Sequence, residues 1–271
     1  MTPARAWLVA ASLALFGREA SAQVPILGRG KTIDVVYDTR DTGHPTEAYT
    51  ARYFLPKEAR DKPTTPQPLL VFLHGVNVHH VKFHWAGGKP DKPDIRIVVA
   101  ELVERGVIPP MIVAAPSTVV SCETPTVLWP GFDLDRLVER TIVSLRGHAR
   151  IDLDRIIVVG HSGAGCNQTG GLASAMATTT LPIRAFLSVD TCMTELDART
   201  FHEAPRGADL FVSYQTYTWD RPFSAFSEAF TAATEGRTSK REIEELKPRE
   251  VPGAHNALVG LSLERWLPRL R

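Results

Sequence analysis

"RIIVVGHSGAG", residues Arg155 to Gly165, decides how the rest of the chain is read. Four β-branched residues run straight into Gly160-His161-Ser162-Gly163-Ala164-Gly165. A continuous apolar run of this kind is the mark of a strand buried on both faces of a parallel sheet. Glycines after such a strand can cradle a phosphate or hold a serine up on a tight strand-to-helix turn. A P-loop wants G-x-x-x-x-G-K-[ST], but the window Gly160 to Gly165 is followed by Cys166 and Asn167. A dinucleotide fingerprint wants G-x-G-x-x-G in the first βαβ unit, with an acid at the end of the next strand. Here the spacing is G-x-x-G-x-G, the turn falls late, and Asp190 is the only partial match. Both phosphate readings fit poorly. A nucleophile elbow needs small residues two before and two after its serine, because the backbone crowds itself there. Gly160 and Ala164 fill those places, the alanine adding only a methyl to the G-x-S-x-G pattern. The helix expected next would set its first amides beneath Ser162, with the amide of Gly163 facing an oxyanion.

Working outward, the chain carries the other parts that such a serine requires. "FLHGVN" ends a strand in His74-Gly75, with the amides of Val76 or Asn77 placed to be a second oxyanion donor. "VPGAHNALVG" puts His255 on a short loop before the last helix, where a general base belongs. An acid is needed to fix the tautomer of that histidine. Two stand in order between serine and histidine: Asp190, ending "AFLSVD", and Asp220, in "TYTWDRPF".

The remaining segments alternate. "KTIDVVYD" and "AYTARYFLP" read as strands joined through "DTRDTGHP", and "KEARDKPTTPQP" as a proline-rich loop. "LLVFLHG", "MIVAAPS", "IRAFLSVD", "ADLFVSYQ" and "REIEEL" read as further strands. "DIRIVVAELVERG", "FDLDRLVERTIVSLRGHA", "FSAFSEAFTAAT" and "NALVGLSLERWLPRL" have helical spacing. Alternation of this kind predicts an α/β fold, a mostly parallel sheet with helices on both faces and right-handed crossovers. No insertion is long enough for a large cap domain, so an open site is expected.

In that order and spacing, "ARYFLP", "PLLVFLHG", "ELVERGVIPPMIVAAP", "RIDLDRIIVVGHSGAG" and "PGAHNAL" resemble the α/β-hydrolase fold family. The look is that of single-domain secreted serine esterases, the feruloyl-esterase and polyhydroxybutyrate-depolymerase-like group, over Thr32 to Leu270. The resemblance implies Ser162 as nucleophile, His255 as base, and Val76 and Gly163 as oxyanion donors. It favours Asp220 as the acid, since most of the family places it after the seventh strand. Some lipases place it one strand earlier, which is Asp190. The implied activity is hydrolysis of a small or polymer-attached carboxylic ester, with no metal or organic cofactor required. A peptidase or acyltransferase on the same scaffold, or an inactive fold serving as a binding module, are the alternatives.

Composition bounds the partners. The chain has 271 residues, 44% hydrophobic and 23% charged, enough for one substantial core. A formal net charge of +1 gives no global attraction to nucleic acid or anionic membranes. Arg5, the apolar "AWLVAASLALFG" and "ASA" ending at Ala22 have the layout of a secretory signal peptide. Residues 1–22 are therefore expected to be removed, leaving 23–271 as a single domain, periplasmic or secreted, without stable membrane insertion. Cys122 and Cys192 each follow a strand and are the expected disulfide pair, with Cys166 left over. Asn77, Trp85, Trp129 and Trp219 lie past strand ends and are expected to line the substrate crevice, with Tyr217 beside them. His74, His79, His80 and His84 crowd one loop but fit no zinc pattern, and read as a polar rim. His161 reads as packing and turn chemistry.

Overall fold

The computed structural model describes residues 26, 28–37, 49–90, 93–218, 220–249 and 252–270. The proposed leader, the "DTRDTGHP" turn and Trp219 lie outside them. The strands are β1 (Gly30–Tyr37), β2 (Tyr49–Pro56), β3 (Pro66–Leu73), β4 (Ile112–Thr118), β5 (Arg150–His161), β6 (Ile183–Val189), β7 (Asp209–Tyr214) and β8 (Arg241–Glu245). The helices are α1 (Lys57–Arg60), α2 (Ile95–Glu104), α3 (Leu134–Ser144), α4 (Gly171–Thr178), α5 (Glu195–Arg199), α6 (Phe223–Ala233) and α7 (Ala254–Trp266). The eight strands form one sheet in the order β1-β2-β4-β3-β5-β6-β7-β8. β2 is antiparallel to both of its neighbours, and every pair from β4 through β8 is parallel.

Side-chain alternation along each strand builds two cores, one per face. Leu69, Val71 and Leu73 of β3 with Ile156 and Val158 of β5 enter one core. Leu70 and Phe72 with Ile157 and Val159 enter the other. Helices α3, α4 and α6 cover the first face, and α2 and α7 cover the second. Short polar residues start the longer helices. Asp94 accepts from the Arg96 amide ahead of α2, and Asp133 from the Arg136 amide ahead of α3.

The segment read as a proline-rich loop holds one helical turn, α1, and β3 starts early, at Pro66. Prolines enter this central strand because its register to β5 shifts between Gln67 and Leu69, which spares Pro68 the ladder bond that it cannot donate. At the chain's end, Trp266 stacks on Phe211 of β7 at 4.6 Å and donates to Ser213 Oγ at 2.8 Å. That anchor seats α7 and so fixes its opposite end, where His255 lies. No helix among the described residues is long and apolar enough to cross a membrane.

Candidate active site

All the parallel strands end on one rim, and the site is assembled from the turns just beyond them. β5 runs out at His161, and Ser162 takes φ +55°, a left-handed conformation rare for a side chain with a Cβ. Such strain persists where neighbours over-determine it. Here the chain turns through residues Ser162–Gly165 before α4 begins at Gly171. The helix expected directly behind the serine thus begins only after this turn and the segment that follows it. The fully buried Ala164 and the close packing of Gly160 against Leu172 explain why small residues flank the turn.

After β3, Gly75 passes close to Ser162. A Cβ at Gly75 would fall 2.5 Å from Ser162 Cβ and 2.9 Å from its Oγ, so only glycine fits. This approach brings the neighbouring Val76 against Gly163, and both line the same cavity as Ser162. His74 holds the loop from beneath. Its Nδ1 donates to the Gly75 carbonyl at 2.6 Å, and burial pushes its pKa down to about 3, with the nearby His84 adding to the effect, so it stays neutral. Gly75→Ala is expected to lower kcat at least about 100-fold, the scale of one lost oxyanion donor, with the protein still folded. Steady-state rates beside a melting curve check this; an unchanged kcat would show that the approach has no bearing on the serine.

His255 lies in the first turn of α7, and its Nδ1 donates to Asp190 Oδ2 at 2.6 Å. Asp190 follows β6 at φ +50° and is 1% exposed. Gln215 Nε2 donates to the same Oδ2 at 2.8 Å, and Arg221 Nη1 to Oδ1 at 2.7 Å. Asp220, the favoured acid in the sequence, is exposed and is not the carboxylate paired with His255. The loop after β7 does reach the acid, but with Gln215 and Arg221, two donors where a carboxylate was expected. Neither had a signal in the spacing; Arg221 was hidden beside Asp220.

His161 is buried, and burial, then the adjacent His255, holds its pKa well below the ordinary value. As a neutral ring it donates from Nε2 to the His255 carbonyl at 3.1 Å and packs against the His255 ring, centroids 4.5 Å apart. It steadies the His255 ring.

Ser162, Gly163, Val76, His255 and Asp190 open on a cavity of about 590 Å³. Trp85 and His84 form part of its wall as expected of that loop, with Pro93 and Pro125. Two assignments to the wall are corrected. Trp129 is fully buried and donates to the His74 carbonyl at 2.9 Å, so it braces the loop from inside. Asn77 is 2% exposed, its amide spent on the Val81 and Thr118 carbonyls at 3.1 Å. Tyr217 is exposed, outside the lining. His79 and His80 are exposed on the same loop as His84, His80 pairing with Glu123 at 2.9 Å. Among the described residues no group of three or more His, Cys, Asp or Glu is placed to hold a metal ion.

The disulfide also differs from expectation. Cys166 bonds Cys192, and Cys122 is a buried thiol outside the disulfide that donates to the Asn77 carbonyl at 3.4 Å. β5 and β6 are neighbours in the sheet, so the turns after them meet, whereas β4 lies further across the sheet, beyond β3 and β5 from β6. The bond ties the turn of Ser162 to that of Asp190, closing a loop with a sequence separation of 26. Cys166→Ser with Cys192→Ser is expected to cost about 3.5 kcal/mol of stability, or about 10 °C in melting temperature. Calorimetry of this double variant beside Cys122→Ser tests it, and equal melting temperatures would refute it.

No protein-family model and no curated protein matches the sequence. Solved structures do match. A ferulic acid esterase superposes with TM-score 0.60 at 15% identity, over 89% of this chain and 97% of that one. The feruloyl esterase module from Clostridium thermocellum, complexed with sinapinate, gives 0.60 at 11%, over 92% and 90%. The enterobactin and salmochelin hydrolase IroE gives 0.57 at 11%, over 90% and 96%. This chain has the α/β-hydrolase fold. Identities this low carry the architecture, and the strand order with its antiparallel β2 agrees with it. Within the α/β-hydrolase fold, the Ser162 turn after β5, the Asp190 turn after β6 and the start of α7 meet at one mouth.

Proposed function

We propose that the chain is a serine hydrolase that cleaves carboxylic esters through an acyl-enzyme on Ser162. The observation that carries the reading is the Asp190–His255 bond at 2.6 Å, on the rim of the cavity that also holds Ser162 on its strained turn. A carboxylate only accepts, so Nδ1 bears the proton and Nε2 is left as the basic nitrogen. In the reaction Nε2 takes the proton of Ser162 as Oγ attacks the ester carbonyl. The negative oxygen is received by the amides of Gly163 and Val76. His255 then protonates the leaving alcohol, and a water molecule, deprotonated by the same ring, releases the acid. The names of the matched structures, esterases for ferulic acid and for enterobactin, support an ester as substrate. An uncapped cavity walled by Trp85 and two prolines suits small or polymer-attached esters.

The same reading puts the protein's work outside the cytoplasm. The leader-like residues 1–22 favour export, and the Cys166–Cys192 bond suits an oxidising compartment.

A panel of p-nitrophenyl esters, run beside a fluorophosphonate probe, tests the assignment. Labelling at Ser162 with steady nitrophenol release is expected. Labelling with turnover only when an alcohol or amine acceptor is added would make the chain a transferase. Absence of both labelling and turnover would overturn the serine chemistry.

A further inference from the structure

The carboxylate facing His255 has a second charged partner. Arg221, from the loop between β7 and α6, gives Nη1 to Asp190 Oδ1 at 2.7 Å and Nη2 to the Asp190 main-chain oxygen at 3.2 Å. The two side chains are 4% and 0% exposed, so water does little to screen them. Burial pushes the guanidinium pKa down to about 10, with Asp190 pulling it back, so Arg221 remains a cation at neutral and acid pH.

We propose that Arg221 is a positioning residue that neutralises Asp190 and thereby sets the lower pH limit at which His255 works as the base. The inference rests on the serine-hydrolase reading and adds a control on its pH range. In a Ser-His-Asp arrangement the aspartate orients the imidazole and stabilises the imidazolium as it forms. Here the cation on the other oxygen leaves the Asp190–Arg221 pair without net charge. The orienting bond from Nδ1 survives, while the field that favours a proton on Nε2 is weakened. The other titratable groups around the ring are His161 from β5, held neutral, and His84 on the cavity wall. Neither supplies a negative charge to replace the one that Arg221 cancels. When the oxyanion forms at Ser162, the imidazolium gains an opposite charge of its own. The stabilisation of the imidazolium is therefore concentrated at the moment the oxyanion forms. The bond to the Asp190 carbonyl has a second use, holding that residue at its positive φ.

The test is the pH profile of kcat/KM. Removing the cation with Arg221→Gln lets Asp190 favour the proton on His255 more strongly, so the acid limb moves up by about 1 pH unit. At a pH below both limbs the variant then keeps about a tenth of the fraction of plateau activity that the unaltered protein keeps. Arg221→Lys keeps the charge without the fork and should keep the limb near its original position even if kcat falls. Arg221→Met preserves the packing of the stem and stands in should Arg221→Gln fail to fold; fluorophosphonate titration counts the folded sites. A merely structural arginine would lower kcat in the variants and leave the limb where it was, which overturns the proposal. Absence of both labelling and turnover in the unaltered protein would instead remove the hydrolase reading.

Discussion

Ser162→Ala is expected to lower kcat for a p-nitrophenyl ester about a million-fold, with KM changed by a small factor only. In the proposed reaction Ser162 Oγ is the atom that becomes covalent with the acyl group. In that reaction His255 keeps Nδ1 on Asp190 and uses its other nitrogen on the Ser162 proton. What survives should come from the amides of Gly163 and Val76 acting on water, about a thousandfold above solution. The substitution leaves the turn otherwise intact, since alanine tolerates φ +55° no worse than serine does. Melting should therefore move little, and the loss can be read as chemistry. Active-site titration of the same preparation sets the floor from contaminating enzyme. A variant that kept a tenth of the original rate would remove Ser162 from the reaction.

The sheet was legible in the sequence because burial on both faces leaves no alternative for "LLVFLHG" or "RIIVV" than central strands. The turn was legible for a similar reason: crowding at a strand-to-helix corner admits few residues, and Gly160 and Ala164 are among them. The acid was not. Asp190 and Asp220 both follow strands, and spacing along the chain says nothing about which side chain points at His255. That was decided by the turn after β6, which carries Asp190 to His255, and by Gln215 and Arg221 meeting the same carboxylate from the next loop. Disulfide pairing failed on the same kind of information. Cys122 and Cys192 look alike as residues past strand ends, and only the order of strands across the sheet separates them. Trp129 and Asn77 show a further gap. Their place after strand ends made them look exposed, but an indole and an amide can equally turn inward and bond loop backbone, Trp129 that of a neighbouring loop and Asn77 that of its own.

Asp190→Asn should lower kcat about ten-thousandfold, and Asp220→Asn should leave it within a factor of about two. The first number comes from hydrogen-bond accounting at one buried group. Asp190 now accepts from His255, Gln215 and Arg221; Nδ1 carries its proton, a guanidinium has no acceptor, and the Gln215 carbonyl is already taken by the Tyr217 and Thr218 amides at 2.8 and 3.2 Å. An asparagine has a single acceptor oxygen, and the buried guanidinium of Arg221 holds the stronger claim on it, since a cation left without an acceptor costs several kcal/mol. The amide NH2 then faces His255, and Nδ1 must become the acceptor. The proton moves to Nε2, which is the nitrogen that has to receive the proton of Ser162, and the base is blocked by its own tautomer. Loss of the charge partner should lower the melting temperature as well, so rates are compared well below the transition and per titrated site. At Asp220 the carboxylate is exposed, and the carboxylate bonded to His255 is that of Asp190, so nothing in the proposed transfer of the proton depends on it. Exchanged outcomes, with Asp220→Asn inactive and Asp190→Asn near normal, would mean that the loop after β7 rearranges to deliver its own carboxylate, and the geometry of the resting site would then misrepresent the working one.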